Sequence, residues 1–334
     1  MAPKVSVIIP VYNTAQYLPQ CLDSLKNQTL NDIEIICVDN GSTDSSFDIL
    51  KDYEFKNKNI KVLHHDDGRQ GAARNAGLKI AKGRYVGFVD SDDFIDSRMY
   101  ESMYVKAITH DADMAICGIT LYYQNSNQYI EKDPSIFPNK AAVHISENKL
   151  FYSNLTLCNK IYKRKFLSEN LIVFPDDVYH EDQLYVIQAY LLSNKIAVIK
   201  KPFYFYRKQR EGQVSTLYTD HLFEIFIIFQ ELDQFIKKQG FGEKIKNDIT
   251  EIKIQRLFYF YDYINRKSKK KLFNLMKKEF NRVEEIKNFY ILSKTQYENY
   301  IIVKKNDYAL ANLLLRAKLY RDLFLKIFKK LKNI

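Results

Sequence analysis

The sequence predicts an α/β fold: a mainly parallel central sheet with helices on both faces, followed by a mostly helical C-terminal region. Three observations carry this. Short β-branched apolar runs alternate with helix-period segments through the first third of the chain. Polar side chains stand just past the ends of those runs. Beyond about Thr219 the chain loses almost all Gly and Pro and keeps only helical patterning.

The elements follow in order. Val5–Ile9 is a β-rich run closed by Pro10. Ala15–Asn27 has helical spacing through Tyr17, Leu18, Cys21, Leu22 and Leu25. Ile33–Val38 is again β-branched. Ser42, Thr43 and Asp44 are N-cap candidates for a helix reaching about Tyr53. Lys61–His64 is a short strand. Gly71–Lys82 is a helix, and Gly83 suits its C-terminal stop. Tyr85–Val89 is a strand that runs into Asp90-Ser91-Asp92-Asp93. Ser97 to about His110 is helical, and Met114–Cys117 is a strand. Short strands and helices mix from about 120 to 215. The expected division is a catalytic domain over 1–218, with halves of about 1–118 and 119–218, and a helical region over 219–334.

Composition excludes several classes. A hydrophobic fraction of 46% supports a sizeable core. No apolar run approaches the roughly 18 residues of a membrane span. Val5–Ile9 is too short for a signal-peptide core. Cys21, Cys37, Cys117 and Cys158 are scattered without a CxxC pair, so neither a zinc site nor a disulfide framework is expected, and a reducing cytoplasm fits. The net charge of +11 suits nucleic acid, an anionic membrane surface or an anionic substrate. Recognised nucleic-acid motifs are missing and the basic residues concentrate in the tail, so no nucleic-acid partner is expected. Pro10-Val11-Tyr12-Asn13 follows the first strand where a dinucleotide oxidoreductase would place G-x-G-x-x-G.

Parallel sheets bind ligands outside the carboxyl ends of their strands. Here those ends carry Asn13, Asp39, the pair Asp66 and Asp67, and the pair Asp90 and Asp92. On an extended segment, carboxylates at i and i+2 share a face. A hard cation such as Mg²⁺ or Mn²⁺ is their natural ligand, and it would neutralise a leaving diphosphate. The same acids also suit a helix start capped by Asp93.

Together the blocks go further. Ser6-Val-Ile-Ile-Pro-Val-Tyr-Asn13, Val38-Asp-Asn-Gly-Ser-Thr-Asp-Ser45, Gly71-Ala-Ala-Arg-Asn-Ala-Gly77 and Val89-Asp-Ser-Asp-Asp93 stand in order, with His180-Glu-Asp182 downstream. This set resembles the family 2 glycosyltransferases with the GT-A fold, over about residues 4 to 215. Asn40 departs from the pattern, which more often has a second Asp there. The resemblance implies inverting transfer of a hexose or N-acetylhexosamine from a UDP-sugar to a hydroxyl of a bacterial glycan. That acceptor would be a capsule, a lipooligosaccharide or a lipid-linked oligosaccharide, met in the cytoplasm or at the inner face of its membrane.

It also implies roles. Pro10, Tyr12 and Asp39 would hold the uracil, with Asn13, Asp67 and Ser91 completing the donor site. Arg74 would reach the diphosphate or the nearby acids. Asp92 would take Mn²⁺ or Mg²⁺, with Asp90 its partner toward the donor. Asp182 would be the general base, and Glu181 would orient the acceptor or Arg74. On the residues alone, Glu181 and Asp182 equally suit a helix first turn. Phe203-Tyr-Phe-Tyr-Arg207 with Gly212-Gln-Val-Ser215 resembles a family element near the acceptor or diphosphate. An aromatic core strand is the other reading.

The tail carries an apolar stripe through Leu310, Leu313, Leu314, Ala317, Tyr320, Phe324, Ile327, Phe328 and Leu331, flanked by Arg and Lys. Two readings stay open for 309–334: peripheral contact with an anionic membrane, or packing within the protein or a homo-oligomer.

Overall fold

The computed structural model describes residues 2–65, 69–134, 137–148, 152, 154–209, 220–282, 292 and 294–305. Asp66, Asp67, the segment 212–215 and the tail stripe at 309–334 lie outside the described residues. The chain divides into two compact units, Met1–Thr216 and Leu217–Ile334.

The first unit opens with β1 (Val5–Val11), α1 (Leu18–Lys26), β2 (Ile33–Asp39), α2 (Ser46–Lys56), β3 (Ile60–His64), α3 (Gln70–Ile80) and β4 (Tyr85–Phe88). It continues through β5 (Phe94–Ile95), α4 (Met99–Thr109), β6 (Met114–Tyr123), β7 (Gln128–Glu131), β8 (Ala142–Val143), β9 (Lys160–Lys163), α5 (Arg164–Glu169), α6 (Glu181–Leu192) and β10 (Ile196–Lys208). All the strands form one sheet in the order β3-β2-β1-β4-β9-β6-β10-β5, with β7 paired to β6 and β8 to β10.

Strands β3, β2, β1 and β4 are parallel neighbours. Strand β9 runs antiparallel to both β4 and β6, so β6 regains the direction of β4, and β10 is parallel to β6. The carboxyl ends of β1, β2, β4, β6 and β10 therefore collect on one edge of the sheet. That is how segments far apart in sequence reach one site.

Local chemistry explains the packing. All of β1 is buried, as a strand covered on both faces must be. At Gly77 an added Cβ would lie 2.5 Å from the Ile8 side chain, so α3 reaches β1 only with glycine there. Gly83 is not the helix stop that was expected. Helix α3 ends at Ile80, and Gly83 lies where a Cβ would come within 2.4 Å of the Ser6 nitrogen. The expected cap of α2 also differs. The helix starts at Ser46, and Asp44 accepts instead from the N–H groups of Ser46 (2.9 Å) and Ala15 (3.0 Å), tying two loops together. Strand β6 runs on to Tyr123 because β10 pairs with it beyond Gly118.

Lys160 is fully buried in β9. Its ammonium donates to the carbonyls of Asn154 (3.3 Å) and Thr156 and to Asn159 Oδ1 (2.9 Å). Burial pushes its pKa down to about 7. In the unfolded chain a lysine titrates near 10.4. Between those values the unfolded state binds more protons, so stability rises with pH. Lys160 is therefore expected to add roughly 2 kcal/mol between about pH 7 and pH 8.5. Urea melts of wild type and Lys160→Met across that range should differ in slope by this amount, and parallel slopes would contradict the assignment.

The second unit holds α7 (Ile225–Lys238), α8 (Glu243–Tyr263), α9 (Lys269–Phe280) and α10 (Lys294–Lys304). Ile228, Leu232, Ile252, Leu257, Leu272 and Met276 are buried in it. Lys253 is buried with them and bonds Asp233 at 2.6 Å and Glu279 at 3.1 Å, which satisfies a charge that could not be buried alone. Among the described residues, no helix is long and apolar enough to cross a membrane.

Candidate active site

The ends of β1 and β2 form one side of the site. Pro10 is buried in β1 opposite Val38, and Val11 pairs with Asp39. Tyr12 follows with 56% of its surface exposed, free to present a ring face. Asn13 takes a left-handed backbone, φ 50°, which asparagine tolerates. Its side-chain oxygen accepts from the N–H groups of Thr43 (2.8 Å) and Asp44 (3.3 Å), so it shapes the loop after β2. Asp39 is buried at the end of β2. One of its oxygens accepts from the Ser42 N–H at 3.3 Å, and the other lies 3.0 Å from His64 Nδ1. His64, at the end of β3, had no role in the sequence reading. The third-strand position Asp67 lies outside the described residues.

The carboxylate cluster is a turn rather than the extended segment that was expected. The Asp93 N–H donates to the Asp90 carbonyl at 3.0 Å, so the acids are gathered by chain reversal and not by strand alternation. Thr14 donates to the Ser91 hydroxyl at 3.0 Å and fixes the turn to the loop after β1. Asp93 is fully buried and accepts from the Tyr204 hydroxyl (2.5 Å) and the Arg207 N–H (2.8 Å). Burial, and then the charges of Asp92 and Asp90, push the Asp93 carboxyl well above the usual carboxylate range.

Arg207 closes the turn from the end of β10. It is buried, and its Nε donates to the Asp92 carbonyl at 2.6 Å. The remaining guanidinium nitrogens donate to Gln124 and, at 2.6 Å, to Gln20. The rings of Tyr17, Phe94 and Tyr122 lie 5.0, 5.4 and 5.2 Å from it. From the sequence, the segment ending at Arg207 resembles a family element near the acceptor or diphosphate, or else an aromatic core strand, and neither reading gives Arg207 this role. The available signal was a cation ending an apolar run, since a buried guanidinium must find several acceptors.

Arg74 joins the turn to the distal acids. It lies in α3, is almost wholly buried, and donates to Asp90 Oδ1 at 3.0 Å, to Gln70 at 3.3 Å and to Glu181. Gly71 allows this geometry. A Cβ there would fall 2.2 Å from the Pro175 carbonyl oxygen, so only glycine lets α3 meet the chain ahead of α6. Asn75 secures the same contact, donating to the Phe174 carbonyl (2.8 Å) and accepting from the Phe174 N–H (3.1 Å). His180 turns the chain with φ 70°, and Glu181 and Asp182 occupy the first turn of α6. Glu181 is thus committed to Arg74, one of the two partners expected for it.

The donor set at the turn fits a hard cation of limited protein coordination. Among the described residues no three His, Cys, Asp or Glu side chains form a cation cage. Asp90 and Asp92 offer a carboxylate pair instead, and Mg²⁺ is commonly held by one or two carboxylates with substrate phosphates and water. Burial is the first cause of the raised Asp93 carboxyl; the charges of Asp92 and Asp90 come second, and it is these that such an ion would offset.

The carboxyl edge of the sheet, where such sheets bind ligands, thus gathers a strand-end aromatic, a buried Asp, an acidic turn and an arginine bridge. The model of "Glycosyl transferase family 2" matches residues 6–171. "Uncharacterized glycosyltransferase EpsJ" of Bacillus subtilis is 31% identical over 261 residues, covering 75% of this chain and 74% of that protein. "Poly(ribitol-phosphate) beta-glucosyltransferase" of Bacillus spizizenii is 34% identical over 265 residues, 77% of this chain but 40% of that protein's length. The crystal structure of Staphylococcus aureus TarS 1-349 in complex with UDP-GlcNAc superposes with a TM-score of 0.76 at 26% identity, covering 96% of this chain and 92% of that one. The chain belongs to the family 2 glycosyltransferases.

Proposed function

We propose that this protein transfers a hexose or N-acetylhexosamine from a UDP-sugar to a hydroxyl of a bacterial surface glycan, with inversion at the anomeric carbon. The observation that carries the reading is the Arg74 bridge between Asp90 and Glu181, which links the acidic turn to the start of α6. The TarS complex with UDP-GlcNAc and the poly(ribitol-phosphate) relative support the donor and acceptor classes.

In this reading Tyr12 faces the uracil and Asp39 accepts from its N3–H. Asp92 and Asp90 would hold Mn²⁺ or Mg²⁺, which supplies neutralisation of the leaving diphosphate. Arg74 holds Asp90 in place and adds positive charge beside it. Asp182 takes the proton of the acceptor hydroxyl, which attacks opposite the leaving UDP. A direct displacement needs one base and no enzyme nucleophile. Because nucleotide sugars are the donors, we place the reaction in the cytoplasm or at the inner membrane face. The test is a screen of UDP-Glc, UDP-Gal, UDP-GlcNAc and UDP-GalNAc with Mn²⁺ and teichoic-acid or capsular acceptors, following UDP release. One donor should stand out, and chelator should abolish its turnover. Absence of acceptor-dependent release from any UDP-sugar would overturn the reading.

A further inference from the structure

We propose that His64 is a positioning residue that fixes the rotation of the Asp39 carboxylate and thereby sets the preference of the donor site for uracil over cytosine. The inference rests on the reading above, in which Asp39 accepts from the uracil N3–H, and it gives a task to a side chain that reading leaves unused.

The carboxylate needs holding. Asp39 ends β2 almost wholly buried, and a buried carboxylate is tolerated where hydrogen bonds replace its water. Its terminal torsion is soft, so the donors around it decide where each oxygen points. Among the described residues two donors reach it. The Ser42 N–H meets one oxygen at 3.3 Å, longer than most such bonds. The other oxygen lies 3.0 Å from His64 Nδ1. Without the imidazole, one long bond would be left to set the plane of the carboxylate.

The imidazole is itself held. His64 stands beside Asp39 in the parallel pairing of β3 with β2, and the next N–H, that of His65, donates to the Asp39 carbonyl at 2.8 Å. Backbone register therefore keeps the two side chains together. The ring of Phe47, from the first turn of α2, meets the His64 ring edge-on at 5.6 Å. An ionised carboxylate only accepts, so the contact puts the imidazole proton on Nδ1. The His64 side chain is 55% exposed, so it is not there to fill a core.

The chemistry of the base turns this geometry into selectivity. Uracil carries an N–H at N3, where cytosine carries a lone pair. A carboxylate oxygen held toward that atom attracts the first and repels the second. A site built around such a bond rejects the analogue that lacks the donor. A carboxylate that can rotate away discriminates less.

Calorimetric titration of UDP and CDP, each with Mn²⁺, into the full chain is the test. Wild type should prefer UDP by at least about a hundredfold, and His64→Ala should lower that preference about tenfold, through weaker UDP binding. His64→Asn is the conservative variant, because its amide N–H can stand close to the place of Nδ1. It should recover the preference to within about threefold of wild type. In an Asp39→Ala background, His64→Ala should change nothing further. A His64→Ala protein with the wild-type preference would overturn the assignment. So would equal weakening of UDP and CDP, which is what a merely structural role produces. An undiminished effect of His64→Ala in the Asp39→Ala background would also overturn it, since His64 would then act on the base directly. Failure of the underlying donor reading looks different: Asp39→Ala alone would keep the wild-type preference, and this inference would fall with it.

Discussion

Asp182→Asn is expected to abolish sugar transfer while leaving UDP affinity within about twofold of wild type. A positioned general base contributes about 10²–10⁴ in rate, and asparagine keeps the shape while losing the proton acceptor. The carboxyl lies in the first turn of α6, a residue beyond Glu181, which is held by Arg74. The substitution removes the Asp182 charge while the hydrogen bonds of Arg74 to Asp90 and Glu181 keep their partners. Initial rates of acceptor-dependent UDP release, paired with UDP titration, separate the two effects. Wild-type turnover in the variant would move the base elsewhere.

Arg74 should give the second large effect, and it splits by substitution. Arg74→Ala leaves Glu181 buried without its cation. Breaking a buried pair in this way costs about 3–5 kcal/mol, or roughly 10 °C of melting temperature for a unit of this size. Arg74→Lys keeps the charge but cannot reach Asp90, Gln70 and Glu181 together, because an ammonium lacks the planar fork. That variant should fold and yet lose about a hundredfold in kcat, since misplacement on the order of 1 Å is sufficient for such a loss. Thermal melts and steady-state kinetics on both variants test this. A lysine variant with wild-type kcat would make the bridge purely structural.

Much of the donor side was legible in the sequence, for a physical reason. Strand-end residues are announced by the apolar runs before them, so Asn13, Asp39 and Asp90 are placed from the runs alone, whereas Tyr12 comes from the motif resemblance. Parallel pairing of β1, β2, β3 and β4 then gathers them. Motif resemblance supplied Arg74 and Glu181 and named Arg74 as one of two partners for Glu181; the fold, which brings together residues 107 apart, is what selects it. The segment at Asp90 was read as extended although Asp and Ser favour turns, and the backbone bond from Asp93 to Asp90 closes the turn that those residue types permit. The gathering of Arg207, Gln20 and Gln124 was illegible, because it depends on β10 lying beside β6. Antiparallel β9, which joins β6 to β4, has only four residues and no periodic signal. Asn13 also ties down the loop through its side-chain oxygen, at Thr43 and Asp44, a contact that its strand-end position does not announce.

In the function proposed above, the acidic turn holds the donor diphosphate through a divalent cation. Calorimetric titration of UDP into wild type and Asp92→Asn, each with Mn²⁺ and with chelator, tests it most directly. Wild type should bind UDP at least about tenfold more tightly with Mn²⁺ than with chelator, and Asp92→Asn should lose that difference while remaining folded. Equal UDP affinity in all four titrations would contradict the claim.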